Sequence, residues 1–509
     1  MSQFKSRTSS KSRLKLKVIR FFVALLCMST LSIGCDDDSA DGTTGGEAGG
    51  TLAGQSGGDS GAAQGGELGG EMGGELGGEM GGELGGEMGG ELGGEMMGGE
   101  EPQEKEYVEI SSDQPHDEMP MITEDEQAQF VAKNQELTFR FHLSQPQLRQ
   151  KNQMLSLWSI RQAFSLLYPG TSGETKELLS TYFGFDSDLD IALNQVNAVT
   201  DQLEALNLEA DEENELDPVQ ISVANSIWIQ DGIEILTPYL DLLSQYLNSS
   251  IYALDFVNQP DQSREIINGW VEDKTADRIV DLIPVGGVTN LTRTVLVNAV
   301  YLKAPWKTPF NSEFTHPAPF TLLSGEEVEV DTMVENVTVR SAQVDGNTII
   351  ALPLRGDRLE MVFILPETTD DLGALEDSLT TELWNEWNEA LSFQGVNLFL
   401  PKFTFKTGTL SLTPFLNLDG LSPLFGPAAQ IDQILNQESL SVSDVVHQTF
   451  FAVDEGGVEA AAATAIILGI ESEPDPVPTV QLNRPFLFAI HDAQTGMILF
   501  FGRLMNPLQ

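Results

Sequence analysis

The chain has 509 residues and a formal net charge of −50, and its length allows one large domain or two to three ordinary ones. So acidic a chain is a poor partner for nucleic acid or for anionic lipid headgroups, because both are bound through Lys and Arg. The only cysteines, Cys27 and Cys35, lie near the N-terminus, which excludes disulfides and a cysteine-based zinc site from the rest of the chain.

The first 35 residues have the pattern of a secretory signal. A basic stretch precedes an apolar run over residues 18–33, which is too short to predict a membrane span. The run ends in Leu31-Ser32-Ile33-Gly34-Cys35, which resembles a bacterial lipobox except that Ser32 stands where Leu is usual. We expect residues 1–35 to be a signal peptide and Cys35 to carry a lipid that holds the exported protein at the cell envelope. Plain secretion to the extracellular space and an uncleaved anchor are the alternatives.

Residues 36–122 have the composition of a flexible tether. Within them, Gly-Gly-Glu-Leu and Gly-Gly-Glu-Met alternate from Gly65 to Met96. Glycine loses much backbone entropy on ordering, and regularly spaced glutamates repel one another. We therefore predict a disordered, low-complexity spacer that holds the following domain away from a membrane. A calcium-binding repeat is the alternative, but the Asp-rich turns of such repeats are missing.

Residues 123–509 read as one globular domain. Apolar residues at helical spacing predict helices, and continuous or alternating apolar runs predict strands. The predicted helices cover residues 125–142, 156–168, 174–185 and 268–283. The predicted strand runs cover residues 221–229, 294–302, 348–365, 396–405, 449–453, 486–490 and 497–504. Early helices and later strands indicate an α+β domain with large, mostly antiparallel sheets.

The domain lacks the sequence patterns of common enzyme classes. It has no His-Glu-x-x-His pair, no Gly-x-Ser-x-Gly elbow and no phosphate-binding loop. Acidic pairs are abundant because of the overall charge, so they do not single out a glycosidase site. His447 stands at the start of an apolar strand, where a buried, hydrogen-bonded histidine is the simplest interpretation. We expect no enzyme activity, no cofactor and no metal.

The most informative segment runs from Asp454 to Ala465. Two glycines precede its four alanines and three prolines follow, so a buried helix is not predicted despite the propensity of alanine. Alternation places small or apolar side chains on one face: Val458, Ala460, Ala462 and Thr464. The other face, which can point outward, holds Glu459, Ala461 and Ala463. The segment is either a long surface loop or a loop that later becomes a strand inside a sheet.

These residues resemble the hinge of inhibitory serpins, the serine protease inhibitor family. The match is Glu455-x-Gly457-x-Glu459 followed by four alanines and Thr464. Upstream, residues 296–302 with Trp306 and Phe310 resemble the signature strand of the family. Further segments match in order: Ser156-x-x-Ser159-Ile160, residues 223–228, and Asn483-Arg484-Pro485-Phe486. The resemblance covers the chain from about residue 125 to its end and implies the serpin fold, in which helices pack on large sheets beneath an exposed reactive-centre loop.

The resemblance also implies a function. In inhibitory serpins a protease attacks the loop, and the cleaved loop inserts into the main sheet while the protease is still attached. The implied hinge consists of Glu455, Gly457, Val458, Glu459, Ala460, Ala461, Ala462, Ala463 and Thr464. The implied shutter and breach, where the sheet parts, consist of Ser156, Ser159, Asn298, Trp306 and His447.

The reactive bond implied by the family's usual interval from Glu455 lies between Glu471 and Ser472. A Glu at this bond implies a target with a basic specificity pocket, such as a Glu-specific serine protease. Counting back from Asn483 instead gives a bond near Pro474. The rival residues are Leu468, Ile470 and Glu473. We expect a monomer whose partner is a target serine or cysteine protease.

Three other functions compete with inhibition. A non-inhibitory serpin, acting as a chaperone or surface interaction module, would tend to have bulky or charged hinge residues. A surface hydrolase would need a nucleophile and a base that the sequence does not show. A structural adhesin would account for the tether but not for the hinge.

Overall fold

The structure, a computed structural model, describes residues 107–145, 149–211, 216–406, 408–436, 440–459 and 477–509. The predicted signal peptide, Cys35 and the glycine-rich repeats lie outside the described residues. So do Ala460, Ala461, Ala462, Ala463 and Thr464 of the predicted hinge and both residues of the predicted reactive bond, Glu471 and Ser472.

The described residues form an α+β fold with nine labelled α-helices and seventeen labelled strands. The helices are α1 (Glu124–Leu143), α2 (Leu157–Leu167), α3 (Gly173–Phe183), α4 (Leu189–Glu204), α5 (Thr237–Leu247), α6 (Pro260–Lys274), α7 (Leu372–Asp377), α8 (Thr381–Ala390) and α9 (Thr413–Leu416). The strands are β1 (Val108–Ile110), β2 (Gln153–Leu155), β3 (Gln220–Gln230), β4 (Ile251–Leu254), β5 (Thr294–Pro305), β6 (His316–Thr321), β7 (Glu327–Val344), β8 (Asn347–Pro353), β9 (Leu359–Leu365), β10 (Ser392–Pro401), β11 (Phe403–Lys406), β12 (Leu410–Ser411), β13 (Val445–Val453), β14 (Gly457–Val458), β15 (Thr479–Gln481), β16 (Phe486–Asp492) and β17 (Ile498–Leu504).

The strands form two sheets. The eight-stranded sheet, called the main sheet below, has the order β1-β4-β3-β5-β14-β13-β11, with β12 also paired to β13. The nine-stranded sheet has the order β15-β10-β7-β8-β9-β16-β17-β2, with β6 also paired to β7. Most pairs are antiparallel, as predicted. Two exceptions bear on the site: β13 pairs with β5 in parallel, and β15 pairs with β10 in parallel.

The sheets and helices are stacked in layers. Along β5, Leu296 and Val300 face the core that also holds α2, whereas Val297 and Ala299 face a second apolar cluster with α6. Along β9, successive residues likewise alternate between the core of α2 and the cluster under α7 and α8. Helix α2 therefore lies between the two sheets, where nearly all of its side chains are buried. This helix supports the point at which the main sheet parts.

Local signals explain where several elements begin. Helix α1 starts at a capping box, in which Thr123 Oγ1 accepts from the backbone N of Glu126 at 3.2 Å and the Glu126 carboxylate accepts from the backbone N of Thr123 at 2.7 Å. Helix α2 starts at Ser156, whose Oγ accepts from the backbone N of Ser159 at 3.2 Å. The first three predicted helices lie within a few residues of α1, α2 and α3.

The predicted helix over residues 268–283 is displaced. Helix α6 instead starts at Pro260, whose fixed φ suits a first helical position, and ends at Lys274. Positive φ angles of 50° at Ala276 and 61° at Asp277 end the helix. The apolar residues beyond them are buried in an irregular segment, so their spacing imitated a helix. The predicted run 348–365 is two strands, β8 and β9, joined by a turn.

The N-terminal boundary of the domain also differs from the prediction. The predicted tether reaches residue 122, but β1 pairs with β4, and Ser112, His116 and Asp117 are hydrogen-bonded to α5. A three-residue strand is stabilised by the sheet edge that it joins and leaves too weak a local pattern to predict. None of the helices in the described part of the chain is long and apolar enough to span a membrane.

Candidate functional site

The main sheet parts between two of its central strands. β5 and β13 pair in parallel where Leu296–Val300 meet Val445–Thr449. Beyond these pairs the two strands separate and β14 lies between them. Within β14, Val458 pairs with Ala304 of β5 and with Val453 of β13, antiparallel to both. The predicted hinge thus begins a new strand at the opening of the sheet.

Gly457 allows β14 to approach β5. Its φ of 151° is a conformation that residues with side chains rarely adopt. A Cβ at this position would lie 2.5 Å from the carbonyl oxygen of Ala304 and 2.7 Å from the backbone N of Trp306. Both neighbours are backbone atoms, so neither could move aside without disturbing β5. A glycine is therefore required where the hinge enters the sheet.

The two residues after Gly457 face opposite sides of the sheet. Val458 is 1% exposed and packs into the core that holds α2. Glu459 lies on the other face, as predicted, but it is not open to solvent: its carboxylate pairs with Arg278, and its side chain is 8% exposed. Burial raises the pKa of Glu459, and the positive charges of Arg278 and Lys303 oppose that shift.

Trp306 is buried beside the turn that leads into the hinge. Its indole Nε1 donates to the carbonyl oxygen of Asp454 at 2.9 Å, and its backbone N donates to that of Gly456 at 2.9 Å. The Asp454 carboxylate in turn accepts from the backbone N of Gly456 and of Gly457, at 2.8 and 3.3 Å. These bonds fix the turn between β13 and β14 against the end of β5.

Glu455 anchors the start of the hinge. Its carboxylate accepts from Lys402 Nζ at 2.6 Å and from Thr315 Oγ1 at 2.8 Å, and its carbonyl oxygen accepts from the backbone N of Phe310 at 2.9 Å. Burial favours the neutral acid, but the bonds from Lys402 and Thr315 outweigh it and hold the pKa of Glu455 below its usual value. A charged Glu455 therefore ties the turn to β10 and β6.

A buried hydrogen-bond network joins the strands below the opening. Asn298 Nδ2 donates to Ser159 Oγ at 2.6 Å and to Asn225 Oδ1 at 2.5 Å. The Oδ1 of Asn298 accepts from Nδ1 of His447 at 2.5 Å. Ser156 caps α2 at the same place, and of these side chains all but Asn225 are fully buried. The network links α2, β3, β5 and β13, so the strands cannot separate without breaking it.

His447 is held neutral in this network. Because both amide hydrogens of Asn298 are donated elsewhere, its oxygen must accept, and the proton of His447 lies on Nδ1. Nε2 of His447 has no hydrogen-bond partner among the described residues. Burial lowers the pKa of His447 to about 4, since a second proton would be buried without an acceptor.

The structure brings together the predicted residues that it describes, in two groups. The hinge residues Glu455, Gly457, Val458 and Glu459 lie with Trp306 at the opening. The residues of the buried network lie below it: Ser156, Ser159, Asn298 and His447.

Five residues that complete these groups were given no site role from the sequence: Asn225, Arg278, Thr315, Lys402 and Asp454. Asn225 lies inside the segment 223–228 that was matched to the family, so its polar side chain in an apolar strand was a usable signal. The partners of Glu455 and Glu459 come from distant parts of the chain, and no local pattern marks them.

Acidification should weaken the native fold through His447. Because the pKa of His447 in the folded chain, about 4, lies below the ordinary value of 6.5, the full contribution is present above pH 6.5 and is lost as the pH falls from 6.5 toward 4. At about pH 5 the expected loss is about 2 kcal/mol of unfolding free energy. Urea unfolding of the unmodified chain and of His447→Gln, compared at about pH 7.5 and 5, measures it.

The His447→Gln chain should lose less stability on acidification, because Gln does not titrate but can still donate to Asn298. His142, another buried histidine with a lowered pKa, remains in both chains and cancels in the comparison. A parallel loss of stability in the two chains would contradict this role of His447.

Comparison with known proteins places the chain in a family. A family model described as Serpin (serine protease inhibitor) matches residues 132–507. Antithrombin-III of Mus musculus is 34% identical over 375 residues, which cover 72% of this chain and 79% of that protein. A protein named "Uncharacterized serpin-like protein" of Methanosarcina acetivorans is 31% identical over 384 residues, which cover 75% and 87%.

Solved structures agree on the fold. Serpin48, described as a highly specific serpin in the insect Tenebrio molitor, superposes with a TM-score of 0.64 at 25% identity, over 76% of this chain and 99% of that one. Uncleaved ovalbumin superposes with a TM-score of 0.65 at 23% identity, over 74% and 100%, and supports the fold alone. With its hinge, its buried network and these matches, the chain belongs to the serpin family and has the serpin fold.

Proposed function

We propose that the chain inhibits serine endopeptidases by suicide trapping: a protease cleaves its loop, and the hinge then inserts into the main sheet while the protease is still attached as an acyl-enzyme. One observation carries the proposal. Val458 is already buried as the second residue of the two-residue strand β14, between β5 and β13. Further insertion of the hinge would extend this strand between the same two neighbours.

Insertion should be strongly favourable. β5 and β13 now share one parallel ladder, whereas a strand inserted in the direction of β14 is antiparallel to both neighbours. One ladder is therefore replaced by two, and antiparallel pairing is slightly more stable per residue. At about 0.5–1.5 kcal/mol per hydrogen bond, about a dozen inserted residues contribute on the order of ten kcal/mol. That gain is comparable to the stability of a whole domain.

Insertion cannot run far until the loop is cut. The chain leaves the main sheet at Glu459, whose backbone N donates to the carbonyl oxygen of Ala452 at 3.1 Å. It rejoins the fold in the other sheet, where the carbonyl oxygen of Pro478 accepts from the backbone N of Asn397 at 2.8 Å. Residues 460–476 connect two fixed points, so cleavage is needed to release one end. The native fold is therefore kinetically trapped.

Cleavage of the loop leads to the covalent trapping of the protease. The serine hydroxyl of the protease attacks the scissile carbonyl, the peptide bond breaks, and the new amine stays with the part of the loop that leads to β15. The hinge side remains as an ester on the protease serine. Water must reach that ester in an intact oxyanion hole to release it. Insertion that pulls on the ester distorts this geometry, and a few kcal/mol slows hydrolysis by orders of magnitude.

The sequence of the loop suits this role. Only small or apolar side chains stand on the inserting face beyond Val458, so the strand meets little steric resistance. We propose that the reactive bond joins Glu471 and Ser472, which makes a Glu-specific serine protease with a basic pocket the expected target. This assignment rests on counting along the sequence, with Leu468, Ile470 and Glu473 as the rivals.

Replacing Val458 tests the trapping mechanism. Val458→Arg would bury a guanidinium between β5 and β13, so we expect this chain to be cleaved as a substrate with little or no trapping. Val458→Thr, of similar size, is the matched control and should still trap. The measurement is the yield of SDS-resistant covalent complex with a panel of serine proteases that includes a Glu-cleaving enzyme. Sequencing the released fragment identifies the bond.

Equal complex yields from Val458→Arg and Val458→Thr would refute insertion as the trapping step. Clipping of the unmodified chain by every protease, without any covalent complex, would instead support a non-inhibitory serpin that acts as a chaperone or surface interaction module.

We further propose that the protein is exported and held at the cell envelope through a lipid on Cys35, with the repeats as a spacer. In bacterial expression of the full chain, the unmodified protein and Cys27→Ser should partition into detergent and carry the mass of a lipid. Cys35→Ser should remain in the aqueous phase. Aqueous partitioning of the unmodified chain would rule out this anchor.

A further inference from the structure

Residues 107–122, called the strap below, run along the folded domain from the edge of the main sheet to the start of α1. The strap begins with β1, which extends the edge of the main sheet: Val108, Glu109 and Ile110 pair antiparallel with Ala253, Tyr252 and Ile251 of β4. It lies upstream of the region that the family model matches, which starts at residue 132. It is therefore a feature of this chain outside the matched domain.

Aromatic packing holds the beginning of the strap to the sheet. The ring of Tyr107 lies edge-on to Trp228 of β3, with ring centres 5.5 Å apart, and edge-on to Tyr252 of β4, at 5.4 Å. Trp228 and Tyr252 are themselves stacked at 4.8 Å. Such pairs contribute beyond the area that they bury. The first part of the strap is thus fixed to β3 and β4, on the side of the main sheet that includes β5.

The middle of the strap is bonded to α5. Ser112 hydrogen-bonds Asp241 through its hydroxyl, and its backbone N donates to Ser244 Oγ at 3.2 Å. The carbonyl oxygen of Gln245 accepts from the backbone N of Asp117 at 2.8 Å and lies 3.0 Å from Nδ1 of His116.

The end of the strap is bonded to α4 and leads into α1. Two asparagines of α4 donate to its backbone: Asn197 Nδ2 to the carbonyl oxygen of Asp117 at 2.8 Å, and Asn194 Nδ2 to that of Met121 at 2.7 Å. The strap then enters α1, whose Asn134 Nδ2 donates to the carbonyl oxygen of Ile498 in β17 at 2.9 Å. This end is tied to the nine-stranded sheet.

Opening the main sheet strains this connection. A strand inserted between β5 and β13 takes up about 4.8 Å, so β5, β3, β4 and β1 must move away from β13 by about that distance. The start of the strap moves with β1, whereas its end leads into α1, which is bonded to β17 of the nine-stranded sheet. A cavity of about 190 Å³ lies between α2, α4, β3 and His116 of the strap, and the end of α5 also lines it.

We propose that the strap is a restraint on sheet opening: it holds the main sheet closed and so slows the uptake of the hinge before any protease has acted. The proposal rests on the hinge being able to insert, but not on the trapping of a protease. The predicted tether joins the domain at this strap. Detaching the strap would therefore shorten the lifetime of the form in which the hinge has not yet inserted.

Removing the hydrogen-bond donors of β1 tests the restraint. The full chain with Val108→Pro, Glu109→Pro and Ile110→Pro has no β1 backbone N–H with which to bond β4. Held below its melting temperature without protease, it should convert to the urea-resistant, hinge-inserted form about tenfold faster, equivalent to a barrier lower by about 1.4 kcal/mol. Tyr107→Ala should shift the rate in the same direction.

The matched control is Met119→Ala with Met121→Ala, because both side chains are largely exposed on the same strap. Its rate should stay within about twofold of the unmodified chain, a difference of less than about 0.5 kcal/mol. An unchanged rate in the triple-proline chain would overturn the proposal. So would an equal drop in the melting temperatures of its native and loop-cleaved forms, since the strap would then stabilise both states alike. Faster conversion without protease trapping would instead count against the inhibitory function alone.

Discussion

The structure depends on the junction between β5 and β13. These two strands are joined weakly, whereas a new strand would fit well between them. One parallel ladder over Leu296–Val300 connects them directly, and β14 has already replaced it at the upper end. By contrast, β3 and β5 on one side of it are joined by ten antiparallel pairs. Under the proposed function, this weak junction between β5 and β13 stores free energy that insertion of the cut loop would release.

Several contacts hold β5 and β13 together before the loop is cut, and these contacts lie at different positions along the two strands. The Asn298 and His447 network locks the strands from below through α2. At the opening, the bonds of Glu455 and the ion pair of Glu459 with Arg278 hold the residues on either side of β14 in place. The strap is proposed to brace the outer edge. Each contact involves a buried or partly buried polar group, and leaving such a group without its hydrogen-bond partner costs free energy. The native state is thus held by a few specific bonds.

The sequence predicts the parts of this arrangement that leave a local pattern. Ser156 marks the start of α2, as the structure confirms, whereas the inserting strand indicated by the small residues after Gly457 stays a prediction. It does not predict what depends on chain-distant contacts: Lys402 opposite Glu455, Arg278 opposite Glu459, or the pairing of β1. Helices α4, α5, α7, α8 and α9 were not predicted, although the buried apolar residues of α4 recur at helical spacing and were a usable signal. The displaced fourth helix shows the converse, because buried apolar residues in an irregular segment can mimic helical spacing.

The central claim is that the native fold stores free energy that cleavage of the loop releases. The most direct measurement is the melting temperature of the unmodified chain before and after a single cut within residues 460–476 by a non-target protease. The account predicts that the cut chain melts higher by about 10 °C or more, since insertion adds on the order of ten kcal/mol. A cut chain that melts at the same temperature or lower would contradict it.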